Sequence, residues 1–373
     1  MADIPPSGIR RYFELAEEMD DVISLGVGEP DFSAPWPVRD AAVASLERGQ
    51  TSYTTNRGLH ELREAISAYL DRTYGLTYRG EDEILVTTGA SEAVDLALRA
   101  TVDANTTVAI PEPTYLSYRP VAMLAGATVL PVPTHEADGF RLTATALEDA
   151  GAARADLLVI CYPNNPTGAI LEAPHLREIA DFAREHDIGV ISDEIYAALT
   201  YTGDHVSIAS LPGMRERTVV VSGFSKAFAM TGLRLGYAVA PASLIDPMNR
   251  IHQYTMLSAP TTAQYAALEG LRSCEEAIAD MRRAYDRRRQ FVLSRFADMG
   301  IRCFEAQGAF YVFPECPTDD AGQFAESLLE AEQVAVVPGG VFGTAGEGHL
   351  RVTYATGMEQ LREAMDRIER FVA

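Results

Sequence analysis

Short runs of aliphatic and β-branched residues alternate along this chain with longer stretches whose apolar positions recur at helical spacing. That is the pattern of an α/β protein with a mostly parallel sheet. Residues 83–88 (EILVTT) read as a strand, followed at once by Gly89-Ala90 and a helical stretch from Ser91 to about Ala100. A second strand is predicted at 106–110, ended by Pro111 and Pro113, and a third at 156–161, closed by the turn-rich segment Pro163–Gly168. A helix follows from about Pro174 to Glu185, then a short strand ending at Asp193, and the run TVVVSG at 218–223 is a further strand with Lys226 just beyond it. From about Thr262 to Met299 the spacing predicts helix, interrupted only at Gly270. The last part returns to mixed elements: a strand at 309–313, a helix near 321–333, a strand at 349–354 and a closing helix from about Met358. The expected division is a large unit near residues 45–270 and a smaller α+β unit made of residues 1–44 and 275–373.

Composition narrows the function. The 373 residues are 47% hydrophobic and 23% charged, ordinary for a globular protein. No signal pattern opens the chain and no apolar run is long enough for a membrane helix, so a soluble, cytoplasmic protein is expected. A net charge of −22 argues against nucleic acid as a partner, because binding phosphates in bulk needs a basic surface. Four scattered cysteines and seven dispersed histidines lack the spacing of a disulfide framework or a metal site, so no metal is expected. All but one of the 31 basic residues are arginine, and the single lysine is Lys226. An acidic surface that avoids lysine fits adaptation to a salty cytoplasm, and high genomic GC content pulls composition the same way. Full stability in dilute buffer would remove the salt reading.

Several predicted strands end in chemically capable residues, and in open α/β sheets the ligand crevice lies at the carboxyl ends of the strands. Lys226 stands in Ser225-Lys226 at such an end, and a lysine amine can form a Schiff base with an aldehyde cofactor. Arg234, eight residues on, suits a phosphate and would lower the lysine's proton affinity; alone it fits an ion pair equally well. The strand–Gly89-Ala90-Ser91–helix junction offers small residues and free N–H groups to a phosphate, and it also fits a plain N-cap with Ser91 and Glu92. Asp193, after an apolar strand, could pair with a pyridine nitrogen and keep it protonated. Asn165 and Tyr196 could hydrogen-bond a ring hydroxyl, Tyr115 could stack on the ring, and Arg351 could grip an α-carboxylate.

Taken together, the segments LGVGEPDF (25–32), YTTNRGLHELREAI (53–66), TGASEA (88–93), PEPTY (111–115), NNPTG (164–168), SDEIY (192–196), SKAFAMTGLRLGY (225–237), GAFYVFP (308–314) and LRVTYA (350–355) keep a family's order nearly end to end. The chain resembles the aspartate-aminotransferase-like branch of fold-type-I enzymes that use pyridoxal 5′-phosphate (PLP). The resemblance implies that Lys226 carries the cofactor and later moves a proton, that Asp193 pairs with the ring nitrogen, and that Asn165 and Tyr196 hold the ring oxygen. It implies Tyr115 on the ring face, with Gly89, Ala90, Ser91, Ser225 and Arg234 around the phosphate. Arg351 would hold the substrate carboxylate beside the Gly28 backbone, and Tyr53 would reach the phosphate of a neighbouring subunit in a homodimer. The implied activity is transfer of an amino group from an L-amino acid of aspartate, aromatic or alanine type to a 2-oxo acid such as 2-oxoglutarate, with ping-pong kinetics. Two rivals are a C–S β-lyase on the same scaffold and a PLP-binding regulator without turnover. The chain departs from some relatives at Gly223, where they carry a serine, and at Ser91, where some aspartate-specific members carry lysine. Arg10, Arg11, Arg57 and Arg119 are the substitutes available for a second carboxylate.

Overall fold

The computed structural model describes Gly8, Met19 and residues 21–373. Its strands in chain order are β1 (Ile23–Ser24), β2 (Ile84–Thr87), β3 (Thr107–Glu112), β4 (Thr128–Pro133), β5 (Leu157–Cys161), β6 (Gly189–Asp193), β7 (Thr218–Gly223), β8 (Gly236–Val239), β9 (Tyr311–Val312), β10 (Val334–Ala335), β11 (Val337–Pro338) and β12 (Leu350–Thr353). Seven of them form one sheet in the order β2-β8-β7-β6-β5-β3-β4, in which only β8 runs against its neighbours. The apolar strand runs exist because both faces of this sheet are covered. Leu158, Ile160 and Val190 pack on one side, against the helix Ala173–Glu185, while Leu157, Val159 and Ile191 pack on the other, against the helix Gly89–Thr101.

Around this sheet the chain adds a three-stranded sheet, β11-β12-β9, and a two-stranded parallel pair, β1-β10. Their shared core holds Leu25, Tyr285, Phe310, Leu328, Val352 and Leu361, and Ile195 and Tyr196 from the large sheet's edge are part of it. The α/β class and the mostly parallel sheet therefore stand as the sequence predicts.

Three details differ. The strand predicted to stop before Pro111 runs on to Glu112, because β5 pairs only with Val108 and Ala109 and the proline's missing N–H costs no bond on that side. The long C-terminal helix is two helices, Thr261–Ser273 and Glu275–Asp298, broken at Cys274. The acidic pair Glu275-Glu276 occupies the second helix's first turn, where the dipole favours it. Gly270 lies inside the first helix and is a packing position: a Cβ there would press on Phe228 and Val38 at 3.1 and 3.2 Å. Strand β8, the antiparallel member, has no counterpart in the sequence reading, nor do β4 and the helices Trp36–Glu47, His60–Tyr74, Tyr118–Ala125 and Ala242–Thr255.

Sheet and helix come very close where β8 begins. A Cβ on Gly236 would lie 2.4 Å from the backbone nitrogen of Ala90 and 2.5 Å from the carbonyl carbon of Gly89, neither of which can swing aside. Replacing Gly236 by alanine is expected to cost about 1–3 kcal/mol of stability, as overpacking against backbone does. Chemical denaturation of the two proteins checks this, and an unchanged midpoint would contradict it.

Candidate active site

Because β2, β3, β5, β6 and β7 run the same way, their carboxyl ends meet at one edge of the sheet. A cleft of about 730 Å³ opens there. Its walls include Gly28, Ala90, Ser91, Tyr115, Asn165, Asp193, Tyr196, Ser225, Lys226, Arg234 and Arg351, which the sequence scatters over more than 300 positions. Gly89 stands just behind the wall with φ +79°, and a Cβ there would come within 2.8 Å of Arg234 Nη2. The guanidinium thus lies against the first turn of the helix Gly89–Thr101, whose leading N–H groups have no partners within the helix. Tyr53 is outside the cleft and 79% exposed.

Lys226 donates a hydrogen bond to the Gly28 carbonyl oxygen at 2.7 Å. Burial pulls its proton affinity down to about 8; Arg351 and Arg234 add to this, and Glu29 and Asp193 oppose it. Asp193, at the end of β6, is 6% exposed, more buried than its place in the sequence suggests. Its Oδ2 accepts from Tyr118 Oη at 2.7 Å and its Oδ1 from the Ile195 N–H at 3.0 Å. Burial raises its pKa to about 6, the two donors pull the other way, and the nearby Glu194 pushes it further up. A cation placed against it, such as a protonated ring nitrogen, would hold it ionised.

Arg351, on β12, is fully desolvated, and burial lowers its pKa. Its Nη1 donates to Asn165 Oδ1 at 3.0 Å, Nη2 donates to the Gly26 carbonyl, and Tyr311 and Phe342 flank the guanidinium at 4.6 and 4.8 Å. Its Nε is buried with no hydrogen-bond partner among the described residues. A buried donor without an acceptor is costly.

Sequence reasoning missed Tyr118, Tyr311 and Thr231. Tyr118 stands three residues beyond Tyr115 in a helix the pattern did not predict, and the two rings meet edge to face at 5.5 Å. Tyr311 Oη lies 3.0 Å from Tyr196 Oη. It sits in a predicted strand, where strict alternation would have put it on a ligand-facing side. Thr231 donates to Glu29, tying the segment after Lys226 to the N-terminal strand connection. Of the arginines considered for a second carboxylate, Arg57 pairs with Asp246, Arg119 lies 3.8 Å from Glu112, and neither lines the cleft. Arg10 and Arg11 lie outside the described residues. The expected N-cap is Thr88 rather than Ser91, and Glu92 reaches back to the Thr88 N–H. Away from the cleft, Glu136, Glu315 and His349 bring ligand-type atoms within 4.8 Å of one another, and Arg302 ion-pairs with both carboxylates, offsetting one of the two charges.

Lys226 and Asp193 face one cleft with Arg234 and a helix terminus, an arrangement suited to an aldehyde cofactor that carries a phosphate. The chain belongs to the family described as Aminotransferase class I and II, which matches residues 20–368. A Bacillus subtilis protein named as an aminotransferase is 51% identical over 371 residues, 99% of this chain and 96% of that one. An aspartate aminotransferase of Pyrococcus abyssi is 45% identical over 374 residues, 98% of this chain and 96% of that one. The crystal structure of an aromatic aminotransferase from Pyrococcus horikoshii superposes with a TM-score of 0.92 at 44% identity, covering 96% of this chain and 98% of the other. The protein is a PLP-dependent aminotransferase, and these relatives favour neither the lyase nor the regulator.

The neutral amine of Lys226 is the form that captures an aldehyde. The rate at which cofactor-free protein takes up PLP is therefore expected to climb as pH rises through about 8 and then level off. Replacing Glu29 by glutamine removes a charge that favours the ammonium form and should move that inflection to lower pH. Stopped-flow absorbance across a pH series reads both; a flat profile in the parent protein would contradict the assignment.

Proposed function

We propose that this enzyme moves the amino group of an L-amino acid of aspartate, aromatic or alanine type to a 2-oxo acid such as 2-oxoglutarate, in two alternating half-reactions. The observation that carries the reading is the Arg351 guanidinium in the wall of the same cleft as Lys226, where it can pair with an α-carboxylate. The names of the Pyrococcus relatives support the aspartate and aromatic choices.

When bound, PLP supplies an aldehyde carbon that takes the amino group and a ring that accepts the electron pair released at the substrate's Cα. The residues divide the remaining work. Lys226 Nζ would hold the cofactor and, freed when the substrate amine takes its place, would be the base that carries the Cα proton across to the cofactor's aldehyde carbon. Asp193 keeps a proton on the ring nitrogen by pairing with its positive charge. Asn165 and Tyr196 would donate toward the ring oxygen, Tyr115 would cover one ring face, and Gly89, Ala90, Ser91, Ser225 and Arg234 would hold the phosphate. Arg351 orients the amino acid so that its Cα–H faces Lys226, with the Gly28 backbone alongside.

In this reading the part near residues 45–270 holds the cofactor, the remainder covers the substrate, and a cytoplasmic homodimer is the working form. Exposure of Tyr53 at 79%, Tyr254 at 88% and Met256 at 45% supports a covering second subunit, toward whose phosphate Tyr53 would point.

Amino acids added one at a time to the PLP-loaded enzyme, without any oxo acid, should bleach its visible band once and release one oxo acid per site. Lys226→Ala should show neither the parent band nor the conversion. A requirement for both substrates before any product forms would refute the alternating scheme. Arg351→Gln should raise KM for the amino acid by about 100-fold, the scale of losing a charge-assisted ion pair in a buried site. Steady-state kinetics check it, and an unchanged KM would move the carboxylate seat elsewhere.

A further inference from the structure

The helix Gly89–Thr101 carries an acidic residue in its first turn, Glu92, at the terminus proposed to receive a phosphate dianion. A free carboxylate there would compete for the same N–H groups and repel the phosphate. In this structure neither oxygen of Glu92 is free. Oε2 accepts from the Thr88 N–H, and Oε1 lies 2.7 Å from His252 Nδ1. An ionised carboxylate can only accept, so Nδ1 carries the hydrogen and donates. His252 is 0% exposed, and it lies in the last turn of the helix Ala242–Thr255, whose Ile245 and Met248 pack in the same core as Val94 and Leu98. Nothing on the cofactor side of the cleft uses this histidine.

We infer that His252 and Glu92 are a positioning pair for the cofactor's phosphate: the bond between them anchors the turn Thr88–Ser91 from behind and holds the Glu92 charge off the seat. The inference rests on the proposed placement of the phosphate at that turn, beside Arg234. With the pair intact, one Glu92 oxygen is spent on Thr88 and the other on a neighbouring helix. The N–H groups of Gly89–Ser91 then stay available. Without the His252 donor, Glu92 regains the freedom to turn toward the same N–H groups, and the first turn loses a side-chain hydrogen bond to the helix Ala242–Thr255.

The test compares PLP with pyridoxal, which has the same ring and aldehyde but no phosphate. Equilibrium titrations of the cofactor-free full chain should show His252→Leu weakening PLP about ten-fold while pyridoxal changes by less than about two-fold, the size of one buried hydrogen bond left unmade. His252→Asn, whose amide can donate from near the Nδ1 position, should recover most of the PLP affinity. His252→Gln, whose amide reaches toward the Nε2 position instead, should behave like the leucine variant. If the leucine variant does not fold, the asparagine and glutamine variants make the same comparison. Equal loss for both ligands, or no loss for either, overturns the inference, because a merely structural histidine cannot single out the phosphate. Arg234→Gln is the control. If it weakens PLP selectively while the His252 variants do not, the inference alone fails. If it too shows no preference for the phosphate, the seat is placed wrongly and the inference falls with it.

Discussion

A guanidinium taken wholly out of water must be surrounded by acceptors, and Arg351 finds them on widely separated parts of the chain. Its two bonded nitrogens reach the Gly26 carbonyl near the N-terminus and Asn165 at the end of β5, while its own strand belongs to the C-terminal sheet. Burying a charge without such partners would cost several kcal/mol, so this pairing favours the arrangement that brings the three segments together. Their meeting sets one wall of the cleft, with Asn165 and Arg351 side by side on it, and leaves Nε without a partner among the described residues. Much of the site's geometry is thus the solution to one desolvation problem.

The same low-dielectric surroundings act in opposite directions on the two central ionisable groups. Lys226 becomes easier to deprotonate and Asp193 easier to protonate, and both shifts have burial as their largest cause. An apoprotein with these groups at the cleft floor is poised to receive a ligand that brings a positive charge to the carboxylate and an electrophile to the amine. Tyr118 and the Ile195 N–H keep the carboxylate oriented in the meantime.

Much of this was legible in the sequence, for reasons that differ by residue. Lys226, Asp193 and Asn165 follow apolar strand runs in a chain with a single lysine, and a buried parallel strand announces itself by that run. Strand β8 did not, since Gly236-Tyr237-Ala238-Val239 is short and lacks a turn signal before it. Its direction depends on pairing with β2 and β7, which are far away in sequence. Tyr118 was hidden because its value lies in a hydrogen bond to a residue 75 positions on. The break at Cys274 was missed because Gly270 looked the better candidate. Only the proximity of Phe228 and Val38 explains why that glycine is a packing residue and not an end.

The single lysine gives the chain an uncommon chemical simplicity. Its ε-amine sits half-buried at the cleft floor, hydrogen-bonded to Gly28 and ringed by Tyr196 and Phe310 at 5.9 and 5.6 Å. Every other side-chain cation that does not titrate near neutrality is a guanidinium, inert toward acylating and reductive-alkylating reagents. Apart from the terminal amine, a covalent tag aimed at amines can therefore land only in the catalytic cleft. A protease that cuts after lysine has one bond to attack, which in the unfolded chain would yield two pieces, 1–226 and 227–373, and in the folded protein is shielded by the cleft walls.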